Sequence, residues 1–236
     1  MSLSTSLFSL TRRRWLAAIA ASVALTACAP MATAPSAADP LPSWNEGANK
    51  QRITDFVKAV TTEGSKDYVA PADRIATFDN DGTLWLEYPM YTQVVFVFDR
   101  IRALAPQHPE WKTTEPYKSL LAGDMKGVMA SGTKGLLEML GAAQSGATPE
   151  EFEGIVKQWL QTAKDARFKR PYTELTYQPM QELMAYLRAN GFKTYIVSGG
   201  TVDFMRAFTL PVYGAPNEQV IGSRQKFAFE VKGGKP

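Results

Sequence analysis

A chain of 236 residues with 45% hydrophobic and 21% charged side chains is long enough for one well-buried domain and a smaller insertion, and this composition excludes a chain disordered throughout. Its formal charge of +3 comes entirely from Arg12, Arg13 and Arg14, because residues 1–27 carry no acid and the remainder balances 23 basic against 23 acidic side chains. Nucleic-acid binding needs a sustained basic stripe to neutralise phosphates, and none is present, so a nucleic-acid partner is excluded.

The chain opens with those three arginines and an apolar run from Trp15 to Leu25 that is too short to span a bilayer, the pattern of an export signal over residues 1–27. Thr11-Arg12-Arg13-Arg14-Trp15-Leu16 partly resembles a twin-arginine signal. Leu25-Thr26-Ala27-Cys28 more closely resembles a bacterial lipobox, in which the cysteine is lipidated and becomes the new N-terminus. This predicts a protein of the bacterial envelope, anchored by lipid at Cys28 and facing the periplasm. The alternative is an ordinary secretory signal with an incidental cysteine and a soluble periplasmic product. Cys28 is the only cysteine, so no intrachain disulfide can form.

Residues 28–43 are dominated by Ala, Pro and Ser and are expected to be a tether, with folded structure starting near Trp44. Ile53, Phe56, Val57 and Val60 then recur at i, i+3, i+4, i+7, predicting an amphipathic helix that leads to the first strand. A short strand follows at Ile75, Ala76, Thr77 and Phe78. Residues 89–165 show helical periodicity without strand alternation. The best-marked helix opens at Thr148-Pro149-Glu150-Glu151, a capping box with proline at the first helical position, and presents Phe152, Ile155, Val156, Trp159 and Leu160 to the core. Met180, Leu183, Met184 and Leu187 mark another helix, stopped at Gly191, and a strand from Lys193 to Val197 follows at once. A helix followed by an apolar strand is the return half of a crossover, so the fold class is α/β with a parallel sheet interrupted by a helical insertion. A helix around Val202 to Phe208 comes next, and Gln219 to Val231 reads as strand or hairpin.

The segment Phe78-Asp79-Asn80-Asp81-Gly82-Thr83-Leu84 places two carboxylates in the loop at a strand's C-terminal end, where open parallel sheets bind ligands. Two acids one residue apart can divide phosphoryl transfer between them, one attacking phosphorus and the other moving the leaving-group proton. An Asp-x-Asp pair also occurs in calcium loops and in nucleotide-sugar glycosyltransferases. With Gly82 at the sixth position of a calcium loop, the first and twelfth would be Thr77 and Tyr88, neither the required carboxylate.

Asp79-Asn80-Asp81-Gly82-Thr83 after an apolar strand resembles the first motif of the haloacid dehalogenase superfamily, and Tyr195-Ile196-Val197-Ser198-Gly199-Gly200 resembles its second. The resemblance implies a Rossmann-like parallel core, Asp79 as nucleophile and Mg2+ ligand, and Asp81 as general acid then base, its carbonyl a second metal ligand. It implies a small-molecule phosphate ester as substrate, its phosphate bound by Thr83, by the Ser198 hydroxyl, and by backbone N–H groups of a Gly199-Gly200 loop acting as an anion nest. An insertion between the motifs matches the helical cap of the phosphoserine phosphatase-like branch, which closes over the site and reads the leaving group. The domains are thus expected to be a core of residues 44–84 and 176–236 and a cap of residues 85–175. Those phosphatases carry a cap-side glutamate where this chain has Tyr88, with Glu87 one position out of register, so phosphoserine itself is not implied.

Arg167, Lys169 and Arg170 read as a solvated charge run and the sole histidine, His108, as a surface-loop residue. Tyr88, Tyr91, Phe96 and Phe98 read as cap core, Tyr88 being near enough to the first motif to contact substrate. The superfamily completes its site with a Lys or Arg and later acids. Lys226, Lys232 and Lys235 follow Ser198 within the expected hairpin, and no paired acids come after them, so the sequence is expected to be a piece of a longer enzyme, with this piece inactive or nearly so. Two functions follow: a magnesium-dependent phosphomonoesterase, or a catalytically incompetent phosphate-ester-binding or scaffolding lipoprotein. Oligomeric state has no sequence signature here.

Overall fold

Residues 39–226 are described by the structure, a computed structural model. The export signal, Cys28 and the start of the expected tether lie outside them, as do Lys232 and Lys235. Among the described residues no helix is long and apolar enough to cross a membrane.

Folded structure begins earlier than composition predicts. Leu41 is fully buried, its N–H donates to Asp39 Oδ1 at 3.0 Å, and Lys50 forms ion pairs with both Asp39 and Glu46. Ser43 donates from its N–H and its hydroxyl to Glu182, and Trp44 Nε1 donates to the Pro179 carbonyl. Residues 39–43 are therefore part of the fold and not of a tether. An Ala-Pro-Ser stretch can be pinned by one buried leucine and a few polar contacts that no composition rule registers.

Helix α1 (Ala48–Thr61) buries Val57 and Val60, while Phe56 is 56% exposed, its ring tilted by 46° against that of Phe192 at 6.4 Å between centroids. Strand β1 (Ile75–Phe78) follows. Between it and the next strand come α2 (Thr92–Leu104), α3 (Tyr117–Leu121), α4 (Met125–Ala130), α5 (Gly132–Gln144), α6 (Pro149–Thr162) and α7 (Gln178–Ala189), with short 3-10 turns and no strand among the described residues. Thr148 caps α6 as its sequence predicts: its hydroxyl accepts from Glu151 N, and Glu151 Oε2 accepts from Thr148 N. Helix α7 leads through Gly191, at φ 80°, straight into β2 (Lys193–Thr201). Then α8 (Val202–Arg206), α9 (Thr209–Tyr213) and β3 (Val220–Ser223) follow.

The sheet is wholly parallel, with β2 central: Phe78 pairs with Ile196, and Ile196 with Val220. The architecture is α/β with a Rossmann-like parallel core. Of the strand or hairpin expected over Gln219 to Val231, the strand forms: β3 runs parallel to β2, and residues 227–231 lie outside the described part. Alternating apolar residues suit either direction, and the crossover through α8 and α9 decides it. One face of the sheet buries Phe78, Thr194, Ile196 and Val220, while the opposite face leaves Ile75, Val197 and Ile221 exposed.

The helical insertion shares its hydrophobic core with the sheet layer. Phe96 of α2 meets Phe152 and Trp159 of α6 and Phe204 of α8 at 5.4 to 5.6 Å between ring centroids, so one aromatic cluster joins elements before and after β2. Phe96 and Phe98 are core residues as expected. Tyr88 and Tyr91 are not: they are 72% and 52% exposed, because both precede α2 and lie outside its packed face.

Candidate active site

The apolar strand β1 buries Phe78 and then releases the chain at its C-terminal end, where Asp79 is exposed and Asp81 half-buried. The loop is organised around Asn80, which sequence reasoning passed over as the spacer between two acids. Its side chain is buried and Oδ1 accepts from the Tyr213 hydroxyl at 3.0 Å. Its carbonyl accepts from the N–H groups of Thr83, Leu84 and Trp85, and its own N–H donates to Asp79 Oδ1 at 2.8 Å. Gly82, at φ 76°, turns the chain so that its N–H reaches the Trp85 carbonyl at 2.9 Å. Neither of the bonds joining Trp85 to Asn80 and Gly82 uses the Asp81 carbonyl.

Trp85 is the second residue missed. Its ring stacks on Phe208 at 4.4 Å, and its Nε1 donates to Asp81 Oδ1 at 2.9 Å, which fixes the carboxylate against a buried aromatic wall. Burial raises the Asp81 pKa above its ordinary value; the Trp85 hydrogen bond opposes that, and the charges of Asp79 and Glu87 add to it. The Tyr213 hydroxyl, buried and near Asp81, is likewise pushed well up. Glu87 belongs to the same neighbourhood, since a Cβ on Gly82 would lie 2.8 Å from its carboxyl carbon. Trp85 is four residues past Asp81, a spacing open to inspection, but Tyr213 is brought in by the fold alone.

Ser198 lies on the strand adjacent to β1, two residues beyond the Phe78–Ile196 pair, so β1 and β2 carry Asp79 and Ser198 to the same end of the sheet. Its Oγ accepts from Gly200 N at 3.2 Å. The expected glycine loop is absent, however. β2 continues through Ser198, Gly199 and Gly200 to Thr201, and neither glycine has positive φ, so the alternating backbone of an anion nest does not form. Ser223 Oγ donates to the Gly199 carbonyl, holding β3 against this extension. Gly200 is small for a packing reason: a Cβ there would stand 3.1 Å from Gln93 Oε1. Gln93 forms a reciprocal pair with Thr201, accepting from its N–H at 3.0 Å and donating to its hydroxyl at 2.6 Å, and so clamps the start of α2 to the end of β2. Thr83 is half-buried in the loop, its N–H spent on Asn80.

The basic cluster is a loop feature. Buried Asp165 accepts from the N–H groups of Arg167 and Phe168, and Arg170 pairs with Glu174. His108 is half-buried, stacked on Trp111 at 4.1 Å. Lys226 is exposed at the end of the described chain.

The Asp79 carboxylate and the Asp81 carbonyl are hard oxygen donors of the kind Mg2+ takes, and this ion commonly binds through one or two carboxylates, with water and phosphate oxygens completing its shell. Asp79 and Glu87 add negative charge beside Asp81, which a divalent ion would offset. Among the described residues no group of three or more His, Cys, Asp or Glu side chains that could hold a metal ion is assembled.

A family model of the haloacid dehalogenase-like hydrolases matches residues 76–234, well over half of the chain. No curated protein matches it. The matched span starts in β1 just before Asp79 and runs past β3, and the chain belongs to the haloacid dehalogenase-like hydrolases.

Proposed function

We propose that this hydrolase is a magnesium-dependent phosphomonoesterase working through an aspartyl-phosphate on Asp79. The observation that carries the reading is the unequal placement of the two acids: Asp79 exposed at the end of β1, Asp81 half-buried on Trp85 with a raised proton affinity. In the first step an Asp79 oxygen attacks phosphorus, the bond from phosphorus to the ester oxygen breaks, and Asp81 gives its proton to the departing oxygen. In the second, Asp81 takes a proton from water, whose oxygen attacks phosphorus and returns Asp79 with inorganic phosphate. The Asn80 N–H on Asp79 Oδ1 leaves Oδ2 for the attack. Gly200 N donates to Ser198 Oγ, so the Ser198 proton remains for a phosphate oxygen, with Thr83 alongside the loop. Bound at Asp79 and the Asp81 carbonyl, Mg2+ would offset the charge of phosphate and carboxylates. The strand-free stretch from α2 to α6, between the two motifs, supports the phosphoserine phosphatase-like branch with a helical cap.

Asp79→Asn should abolish hydrolysis of a generic phosphate ester, and Asp81→Asn should lower turnover by on the order of 10² to 10⁴ through loss of proton transfer. Chelation should silence the wild type and added Mg2+ restore it. The measurement is phosphate release by a full-length form of the protein, and near-normal turnover in Asp79→Asn refutes the mechanism.

The envelope location is a second part of the proposal, supported by the lipobox-like Leu25-Thr26-Ala27-Cys28. Cys28→Ala should shift the protein from the membrane pellet to the soluble fraction. Retention in the pellet as firm as the wild type's would dismiss the lipid anchor.

A further inference from the structure

Beside the carboxylate loop, the segment from Glu87 to Tyr91 and helices α2, α4 and α5 line an open cleft of about 450 Å³. Its walls are Tyr88, Val94, Phe98, Met129, Leu136 and Met139. Such a volume suits a small organic molecule. Tyr88 at 72% and Met129 at 63% exposed hold apolar surface in water at the cavity, surface that a packed core would cover. Among the described residues no Lys, Arg or His lines it, and the one charged residue in its lining is Glu87. That carboxylate also meets Gly82 and acts on the charge of Asp81, so the cavity opens beside the proposed reaction centre.

We propose that this cavity binds the leaving group, and that it selects an uncharged apolar alcohol or phenol larger than a single ring. A second phosphate or a carboxylate on the leaving group would meet Glu87 with no cationic side chain among the described lining residues to compensate. A sugar would leave its hydroxyls against Val94, Phe98, Leu136 and Met139, where few hydrogen-bond partners exist to replace water. An apolar ring system gives up nothing there and covers the walls. Naming the bound group a leaving group rests on the phosphomonoesterase reading, but the cavity's preference for an apolar molecule does not.

Two measurements separate these parts. The first is kcat/KM of a full-length form of the protein for 2-naphthyl phosphate against glycerol 1-phosphate. The second is binding of 2-naphthol alone, by fluorescence. Wild type should favour the naphthyl ester by at least about tenfold, the scale of discrimination by apolar contacts, and should bind 2-naphthol. Leu136→Trp, which fills the cavity, and Met129→Glu, which charges it from an exposed position and so spares folding, should each weaken 2-naphthol binding and lower the naphthyl-to-glycerol ratio by about tenfold. A ratio near one in the wild type, or 2-naphthol binding that neither variant weakens, overturns the proposal even if both esters are hydrolysed. If no ester is hydrolysed, yet 2-naphthol binds and both variants weaken it, the cavity stands and the phosphomonoesterase reading falls.

Discussion

Asp81 occupies its site at a cost in stability. Burial is the largest influence raising its pKa, with the Asp79 and Glu87 charges adding to it and the Trp85 bond offsetting part. As pH rises through the ordinary carboxylate value of 3.8, the unfolded chain ionises at Asp81 before the folded one does, so stability falls across that window and stays lower once Asp81 ionises in the fold. Below it, both states are protonated and the penalty vanishes. Asp81→Asn keeps an oxygen for Trp85 to donate to but carries no charge. The variant should therefore melt at higher temperature than wild type at about pH 7, with the gap closing below about pH 4 as both states of the wild type become protonated. A gap independent of pH, read by thermal denaturation, would mean that burial of charge is not its source. The same raised proton affinity favours a group that must hold a proton for a leaving oxygen, so the destabilisation and the proposed role share one cause.

At the scale of elements, the features with local causes follow the sequence closely. Thr148 and Glu151 satisfy each other's backbone N–H groups at the start of α6, and neither needs the rest of the fold to do so. Thr148→Ala should cost about 1 kcal/mol in urea unfolding, while Thr148→Ser, which keeps the hydroxyl, should cost much less. Equal losses in both would show that the threonine methyl and not the cap carries the effect. Strand β1 follows its apolar run for the same reason. Strand β2 does not stop where its pattern stops: Ser198-Gly199-Gly200 reads as a turn by composition, yet Ser223 and the Gln93–Thr201 pair hold it extended. Those partners lie on β3 and α2, beyond the reach of any local rule.

At the scale of the molecule, the Phe96, Phe152, Trp159 and Phe204 cluster makes the helical insertion and the β2–α8 region one packed body, while Leu41 and the Ser43–Glu182 bonds draw residues 39–43 into it. The sequence by itself determined the α/β alternation, the parallel crossover into β2 and the two acids at a strand end. Those depend on apolar periodicity and on neighbours a few residues apart, which composition and spacing carry. Tertiary structure alone decided that Asn80 is tied to Tyr213, that Asp81 rests on Trp85 and Phe208, that β3 is parallel, and that Tyr88 and Met129 are exposed at a cavity mouth. Each of these depends on which distant side chain fills the space beside a residue, and packing of the whole chain sets that.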